Sequence, residues 1–316
     1  MRFSKYPSIN NHYDAKNLGW WLTRNIGLRD AKYVATEKLH GANFSVWVFP
    51  DGTHRVAKRS AFLGEADTFY HWKEAFDEST LQAFLIDFKL TVATLNRPLV
   101  LFGELFGAGV QKEVNYGIAH RIRFFDIYDP ERDEYWAPAQ LYDCVPEHLR
   151  VPHVGFFSGI DSALACDDAF PSLLNPVPGN TCEGVVIRPF NKTYQTETGS
   201  RFIIKKKNEK FKEKANVQKS AKTSDKLSTE VTAVVDVVMP YITSQRLSNV
   251  ISHNGNPTGM EQFGLLFGLF MQDVRNECLQ ENPRLEDALD KKDRKTAWKI
   301  IGTHCSSMLR AYMINP

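Results

Sequence analysis

The sequence predicts an α+β protein, in which a mainly antiparallel sheet domain is followed by a small, all-helical C-terminal domain. Short segments rich in Val, Ile, Phe and Tyr recur through the first two thirds of the chain, as is typical of strands. Residues 215–228 are polar and lack core-forming side chains, as a linker does. Beyond them, apolar residues recur with the helical period. We therefore expect a sheet domain over residues 1–214, a linker over 215–228 and a helical domain over 229–316.

Short strands with loops and a few helices are predicted for the first domain. The Asp51-Gly52 pair between the second and third strands is a hairpin signal. Within Ala66–Ala93 the apolar residues have helical spacing, so the face that they share should be buried. That face consists of Phe69, Trp72, Phe76, Leu81, Phe84, Leu85 and Phe88. The predicted strands are Tyr33–Glu37, Asn43–Phe49, Arg55–Lys58, Leu99–Glu104, Ile122–Tyr128, Gly184–Arg188 and Phe202–Lys206.

Three groups of apolar residues with helical spacing predict the C-terminal domain. The first group is Val231, Val234, Val235, Val238 and Ile242, and the second is Phe263, Leu266, Phe267 and Phe270. The third group predicts a last helix and consists of Ala297, Ile300, Ile301, Met308, Leu309 and Tyr312.

Composition and cysteine usage bound the class of protein. Hydrophobic residues make up 43% of the 316-residue chain and charged residues 24%, which suits a packed core. The chain has no run of 18 apolar residues and no apolar stretch of the secretory kind at its N-terminus, so we expect a cytoplasmic protein without a membrane segment. The five cysteines are widely spread and form no Cys-x-x-Cys pair, which fits reduced thiols and argues against a zinc site.

The charge of the chain is unevenly distributed. The net charge is only +2, but the segment from Arg201 to Lys226 has ten Lys or Arg residues against three Asp or Glu residues. A basic segment of this kind can bind phosphate groups. The alternative is a solvated surface face, which is the usual fate of a charge run.

The stretch Glu37-Lys38-Leu39-His40-Gly41-Ala42-Asn43 places a lysine in a turn between two predicted strands. A free lysine has a pKa of about 10.4, so it is protonated and not nucleophilic near neutral pH. Nearby positive charge, burial or a metal can lower that value. Gly41 permits a tight turn, and His40 and Asn43 add polar groups close to Lys38. The alternative is an ordinary surface lysine.

Three further residues fit a nucleotide-binding surface. Arg59 ends a predicted strand and could place its guanidinium near a ribose or a phosphate. Glu104 lies between two glycines at an otherwise apolar strand end, where an unpaired charge would be costly. Phe125 could stack on a purine. The alternatives are a surface arginine, a solvent-facing glutamate and a core phenylalanine.

The last two predicted strands of the first domain carry a carboxylate and a lysine run. Glu183 directly precedes a strand, where it could hold a divalent ion against phosphate oxygens or be a turn residue. Alternation along the next strand puts Lys205 and Lys207 on one face and Lys206 on the other. The first two could bind a phosphate and lower the pKa of Lys38 by like-charge repulsion, whereas Lys206 should face solvent.

Taken in order, these blocks resemble the motifs of the covalent nucleotidyltransferases. Lys-x-His-Gly, Gly-Glu-Leu-Phe-Gly, Phe-Phe-Asp-Ile, Glu-Gly-Val-Val-Ile-Arg-Pro and Ile-Lys-x-Lys look like motifs I, III, IIIa, IV and V. A histidine stands in the first motif, where DNA ligases and capping enzymes have aspartate, so the chain is similar to the RNA ligase 2 family. That family includes a phage nick-sealing ligase and the trypanosome editing ligases. Residues 5–13, 109–112 and 245–252 look like the phage branch, so the resemblance covers nearly the whole chain.

The resemblance implies a role for each matched residue. Lys38 would form the lysyl-AMP bond, and Glu183, Lys205 and Lys207 would take part in the phosphate chemistry; His40 matches its motif without a derived role. The AMP site would consist of Glu37, Lys38, Asn43, Arg59, Glu104, Phe125, Lys205 and Lys207. Glu183 would serve the metal directly and Asn43 through a bound water. Arg246 and Asp273 match C-terminal positions that the family needs for sealing.

The resemblance also implies an activity: ATP-dependent sealing of 3′-hydroxyl and 5′-phosphate RNA ends through a lysyl-AMP and an RNA-adenylate. The cofactors would be ATP and Mg²⁺ or Mn²⁺, and the partner RNA, as a nicked duplex. We expect a monomer in the cytoplasm, that of the host if a phage encodes it. One alternative is a DNA ligase or capping-type nucleotidyltransferase. An alternative of another class is an inactive nucleic-acid-binding protein.

Overall fold

The computed structural model describes residues 3–211, 228–257 and 259–314. The chain divides into two compact units, Met1–Phe211 and Lys212–Pro316. Antiparallel strands dominate the first unit and helices form the second, which confirms the predicted fold class. The predicted linker lies outside the described residues except for Ser228, so its bounds stay a prediction.

Two five-stranded sheets form the framework of the first unit. Their strand orders are β1-β10-β9-β2-β8 and β4-β3-β5-β6-β7, and every pairing is antiparallel except that of β1 with β10. The strands of the first sheet are β1 (Asn10–Asn11), β2 (Lys32–Glu37), β8 (His153–Ser158), β9 (Gly184–Pro189) and β10 (Ile204–Lys207). Those of the second are β3 (Ala42–Val48), β4 (His54–Lys58), β5 (Leu99–Phe106), β6 (Arg121–Asp129) and β7 (Glu134–Tyr135).

The helices of the first unit cover the outer faces of these sheets. They are α1 (Ala15–Arg24), α2 (Trp72–Phe76), α3 (Ser79–Leu95), α4 (Pro138–Cys144) and α5 (Ile160–Leu164). Along β3, Phe44 and Val46 point to the core beneath α2 and α3, while Trp47 points the other way. There it packs in a cluster that also contains Phe102 from β5 and Ile203, which precedes β10. The inner faces of the two sheets therefore meet, and this is the space in which the candidate site lies.

The helical stretch predicted over Ala66–Ala93 is two helices rather than one. Tyr70 and His71 have left-handed backbone conformations, with φ of 44° and 52°, which a continuing α-helix cannot contain. The chain enters α2 only after them, and α3 begins at Ser79. All seven residues of the predicted apolar face are nevertheless buried.

In the described part of the second unit, residues 228–257 and 259–314, the chain forms four α-helices: α6 (Thr229–Val238), α7 (Ser244–Asn254), α8 (Phe263–Glu281) and α9 (Lys291–Ile314). Ser228 caps α6 and Thr243 caps α7, each by accepting a hydrogen bond from a backbone N–H of the first turn. The predicted apolar faces of α6, α8 and α9 pack together in one core. Among the described residues, no helix combines the length and apolar character that crossing a membrane requires.

Candidate active site

The turn after β2 carries Lys38 and is fixed by the backbone on both sides. The N–H of Lys38 donates to the carbonyl of Gly184 at 2.8 Å, and the N–H of Glu37 donates to that of Pro152 at 2.9 Å. Gly41 ends the turn where it runs against β5, and a Cβ there would collide with the carbonyl of Leu105. Glycine is needed for this close approach, and its φ is not positive, so a strained turn is not the reason.

Three side chains converge on the buried carboxylate of Glu183. Lys38 Nζ lies 2.9 Å from Oε2, Lys207 Nζ lies 2.7 Å from Oε1, and His40 Nδ1 lies 3.1 Å from Oε2. Burial by itself would raise the pKa of Glu183, but the charges of the two lysines and the hydrogen bond from His40 outweigh it and hold that pKa well below its usual value. Glu183 therefore stays a carboxylate that aligns two ammonium groups.

His40 is held on its other side by Glu113, which the sequence had not singled out. Its Nε2 lies 2.7 Å from Oε2 of Glu113, and its backbone N–H donates to the Tyr116 hydroxyl at 2.9 Å. Burial disfavours the charged imidazole, but hydrogen bonds to Glu113 and Glu183 more than compensate and raise the pKa of His40. The same hydrogen bond lowers the pKa of Glu113 to about 2. The only feature of the sequence that could have indicated Glu113 is its position directly after residues 109–112, which look like the phage branch of the RNA ligase 2 family.

Glu104 and Asn43 lie side by side on paired strands, β5 and β3. Both point to the inner side of the sheet, as the alternation with Phe102 and Trp47 requires. Burial raises the pKa of Glu104 to about 7, although the positive charge of Lys38 opposes this. The carboxyl of Glu104 therefore belongs to the same electrostatic environment as Lys38.

Glu37 points away from this cluster into a loop. Its carboxylate accepts hydrogen bonds from the Ser172 hydroxyl at 2.7 Å and from the Leu173 N–H at 2.8 Å. Burial raises the pKa of Glu37, and these two bonds oppose the rise. Arg59 is half-buried and directly follows β4, the edge strand of its sheet.

Phe125 lies at a bulge in β6, where the pairing register with β5 shifts. The bulge lets Phe125 and Asp126 both face Tyr6, whose ring lies 5.1 Å from that of Phe125 and whose hydroxyl donates to Asp126 at 2.8 Å. Arg188 donates to the Phe125 carbonyl at 2.6 Å, and Arg201 lies 2.5 Å from Asp126. These buried charges support the half-buried ring of Phe125. Asp126 and Arg188 belong to the Phe-Phe-Asp-Ile and Glu-Gly-Val-Val-Ile-Arg-Pro motifs, but no local pattern predicts that they meet behind Phe125.

The lysine run on β10 follows the predicted alternation. Lys207 reaches Glu183, and Lys205 is half-buried on the same side of the strand. The prediction that Lys206 faces solvent is wrong. Its Nζ donates to the carbonyls of Leu164 and Cys166, at 3.2 and 2.7 Å, because α5 ends with unpaired carbonyls on that side of the sheet.

Arg246 and Asp273 contact each other in the helical unit. Arg246 Nη1 donates to Asp273 at 2.8 Å, and its Nε donates to the carbonyl of Tyr241 at 3.0 Å. Arg246 is buried, whereas 44% of the Asp273 side chain is exposed. The pair joins α7 to α8 and therefore stabilises the packing of these two helices.

The acidic residues around Lys38 do not form a metal cluster by themselves. Among the described residues, no group of three or more His, Cys, Asp or Glu side chains is arranged to hold a metal ion. Glu183 has an ammonium group at each oxygen. A divalent cation fits beside Glu183 only if phosphate oxygens and water supply most of its ligands, which is the usual mode of Mg²⁺ binding at nucleotide sites.

Two family models match the chain. The RNA ligase model matches residues 31–207, and the T4 RNA ligase 2 C-terminal model matches residues 224–307. Together they include every strand from β2 to β10 and every α-helix from α2 to α8.

Individual proteins are similar over part of the chain. RNA-editing ligase 1, mitochondrial, of Trypanosoma brucei brucei is 28% identical over 214 residues, which cover 51% of this chain and 45% of that protein. The match thus spans about half the length of that relative. A mutant of Naegleria gruberi RNA ligase with ATP and Mn has a TM-score of 0.50 at 21% identity, covering 66% of this chain and 57% of the other. A second mutant of that ligase, with AMP and Mn, has a TM-score of 0.49 at the same identity and coverage.

Proposed function

The chain belongs to the RNA ligase family, and from that premise we propose that it is an ATP-dependent RNA ligase working through a covalent lysyl-AMP on Lys38. The observation that carries the proposal is the convergence of Lys38 and Lys207 on the buried carboxylate of Glu183. Burying these charges adds little to the stability of the fold, because the cost of desolvating them offsets most of their attraction. The arrangement therefore favours a role in function over a role in folding. It holds a nucleophilic amine and a phosphate-binding amine within one carboxylate's reach.

In the first step, Lys38 Nζ attacks the α-phosphorus of ATP, forming a P–N bond. The bond to the bridging oxygen of pyrophosphate breaks, and pyrophosphate leaves. The amine must lose its proton to water before it reacts, because the lowered pKa of Glu183 makes that carboxylate a weak base. Glu183 accepts a hydrogen bond from the amine at 2.9 Å and orients it. Lys205 and Lys207 neutralise charge on the transferred phosphate, which is the main contribution proteins make to such reactions.

The second and third steps use the stored AMP. A 5′-phosphate oxygen of the RNA attacks the phosphorus of lysyl-AMP, so that Lys38 is released and an RNA-adenylate forms. A 3′-hydroxyl then attacks the activated 5′-phosphate, AMP leaves, and a phosphodiester bond joins the ends. Pyrophosphate and AMP are the two products derived from ATP.

The nucleotide would lie between the two sheets. Phe125 would stack on the adenine with Glu37 beside it, and Arg59 and Glu104 would hold the ribose or the neighbouring phosphate. Mg²⁺ or Mn²⁺ would be held by phosphate oxygens, Glu183 and an Asn43-bound water, and would supply charge neutralisation. The similar Naegleria gruberi RNA ligase structure with ATP and Mn supports this choice of cofactors.

The proposed partner is RNA, as a nicked duplex. Basic residues near β10 and in the helical unit would contact its backbone, so binding should weaken with salt. RNA would be distinguished from DNA through the 2′-hydroxyl near the nick. The helical second unit favours this assignment over a DNA ligase or capping enzyme, whose C-terminal domain is a five-stranded barrel. A silent nucleic-acid-binding protein is the alternative of another class, and it would have no use for the cluster around Glu183.

Sealing of defined nicks tests the proposal. The substrates are one duplex with a 3′-hydroxyl/5′-phosphate nick, made with RNA or DNA at the 3′-hydroxyl end, and the same strands without their complement. The wild-type chain should seal the RNA nick only with ATP and a divalent ion, and Lys38→Ala should not. Sealing of the DNA nick alone would support the DNA ligase alternative. A chain that binds the duplex but neither seals it nor reacts with ATP would support the silent-binder alternative.

A further inference from the structure

The 107–120 loop, which joins β5 to β6, carries a residue that the proposed function does not use. This residue is Glu113, whose Oε2 lies 2.7 Å from His40 Nε2. The other ring nitrogen of His40 lies 3.1 Å from Glu183 Oε2. Both nitrogens of one buried imidazole are therefore engaged by carboxylates that stand 70 residues apart in the sequence.

We propose that Glu113 is a positioning residue for nucleotidyl transfer, which fixes the ring of His40 and, through it, the carboxylate of Glu183. This role rests on the proposed function. Glu113 itself touches no reacting atom in the account. It acts through His40, much as a carboxylate behind a ligand histidine fixes the orientation of that ring.

The loop is held firmly enough to serve as an anchor. The N–H of Asn115 donates to the side-chain oxygen of Asn180 at 2.8 Å, and the Asn180 amide donates back to the Asn115 carbonyl at 2.8 Å. The Nζ of Lys210 donates to the Glu113 carbonyl at 3.2 Å. The backbone at Glu113 and at Asn115, two residues later, is thus tied to two other segments of the first unit.

The ring of His40 has little freedom apart from rotation about its own bonds. It is 2% exposed, its ring centroid lies 5.0 Å from that of Phe211 at a steep angle, and its backbone N–H donates to the Tyr116 hydroxyl. The hydrogen bond between Nε2 and Glu113 restricts rotation of the imidazole ring about its side-chain bonds. It thereby keeps Nδ1 directed at Glu183. Each oxygen of Glu183 is then left facing one of the two lysines.

The same loop offers a matched control. His120, at its other end, is bound by Glu74, with His120 Nδ1 3.0 Å from Glu74 Oε2. That pair repeats the carboxylate–imidazole contact without touching His40 or Glu183. Replacing Glu74 by Gln therefore makes the same chemical change to a similar contact, away from Lys38.

The experiment uses the full chain and compares wild type, Glu113→Ala, Glu113→Gln and Glu74→Gln. The readout is the single-turnover rate of label transfer from α-³²P-ATP to protein over a range of ATP concentrations. We expect Glu113→Ala to lower the maximum rate about 10- to 100-fold, the effect typical of losing such an outer contact. The ATP concentration for half-maximal rate should change less than about threefold, because Glu113 does not touch the nucleotide.

Glu113→Gln should recover part of the rate, because its amide oxygen still accepts a hydrogen bond at the same reach, and Glu74→Gln should label like wild type. Thermal unfolding of each variant by circular dichroism identifies a folding defect, for which the Gln variant is the milder test. Labelling of Glu113→Ala at the wild-type rate, or a loss no larger than that of Glu74→Gln, would overturn the role of Glu113 alone. A wild-type chain that takes no label would overturn the proposed function and this role together.

Discussion

The central residue of the candidate site is Glu183, a buried carboxylate shared by Lys38, Lys207 and His40. Its Oε2 faces Lys38 in the turn after β2, and its Oε1 faces Lys207 on β10. Behind it, His40 links Glu183 to Glu113 on a loop. The charges therefore alternate along a chain of contacts, which favours the charged forms of Glu183, His40 and Glu113.

This alternation predicts how the Glu113–His40 contact depends on pH. The pKa of Glu113 is lowered to about 2, so its contribution to folding is present above its usual value near 4.5 and is lost as the pH falls toward 2. The pKa of His40 is raised, so its contribution is present below about 6.5 and is lost as the pH rises through the raised value. The contact should therefore stabilise the fold most between pH about 4.5 and 6.5.

Urea unfolding of wild type and Glu113→Gln from pH 3 to pH 9 measures this contribution as the difference in free energy of unfolding. We expect the difference to be largest in that window and to shrink on both sides. If the difference in free energy of unfolding does not change with pH, Glu113 and His40 do not stabilise each other's charged forms.

At the scale of elements, the site depends on how closely β9 and β10 approach each other. Gly184 begins β9 directly after Glu183 and pairs with Lys207 of β10. Its φ is 145°, and a Cβ there would collide with the carbonyl of Lys206. Only glycine lets the strands approach closely enough for Lys207 to reach Glu183.

Gly184→Ala should therefore destabilise the chain by about 2–5 kcal/mol, from a strained backbone and an overpacked contact together. It should also reduce label transfer to Lys38, because β10 must move away. Gly199→Ala is the matched control: its φ is also positive, at 81°, but nothing lies within 4 Å of the added Cβ. We expect that control to cost about 1–2 kcal/mol and to label normally. Equal losses of stability and label in both variants would contradict the role given to the close approach.

Local signals explain which of these features could be predicted from the sequence. Lys38 directly follows β2 and Glu183 directly precedes β9, two short strands that contain β-branched residues, and alternation along β10 set its two lysine faces correctly. The helix break at Tyr70 could not be predicted, because a left-handed backbone at a non-glycine residue has no compositional signal. Glu113 could not be predicted either, since its contact with His40 spans 73 residues and depends on how a loop folds back.

At the level of the whole chain, the two compact units contain different candidate functional residues. The contacts described for Glu183 are made by Lys38, His40 and Lys207 of the first unit, and the Arg246–Asp273 pair belongs to the second. The pair is asymmetric, since the guanidinium is buried while nearly half of the Asp273 side chain is exposed. Removing Arg246 would take away the hydrogen bond that the Tyr241 carbonyl accepts from it. It would also remove the positive charge beside Asp273 and Glu277.

Arg246→Ala should lower the stability of the helical unit by about 3 kcal/mol, the lower end of the range for breaking a buried pair. Label transfer to Lys38 should be unchanged, while sealing of the RNA nick should fall. Arg275→Ala on α8 removes a more exposed arginine, with 46% of its side chain accessible, from Glu286, which Arg294 still contacts at 3.2 Å. This control should cost no more than about 1 kcal/mol. Calorimetry and the two activity assays on these variants check the prediction. Loss of labelling in Arg246→Ala, with the chain folded, would contradict the division of work between the units.

The most direct test of the central claim is incubation of the full chain with α-³²P-ATP and magnesium, beside Lys38→Ala and Lys206→Ala, on a denaturing gel. Wild type and Lys206→Ala should take label, Lys38→Ala should take none, and mass spectrometry should find AMP on the peptide that contains Lys38. Label on Lys38→Ala, or none on a folded wild-type chain whose mass shows no AMP already attached, would contradict a covalent lysyl-AMP at this site.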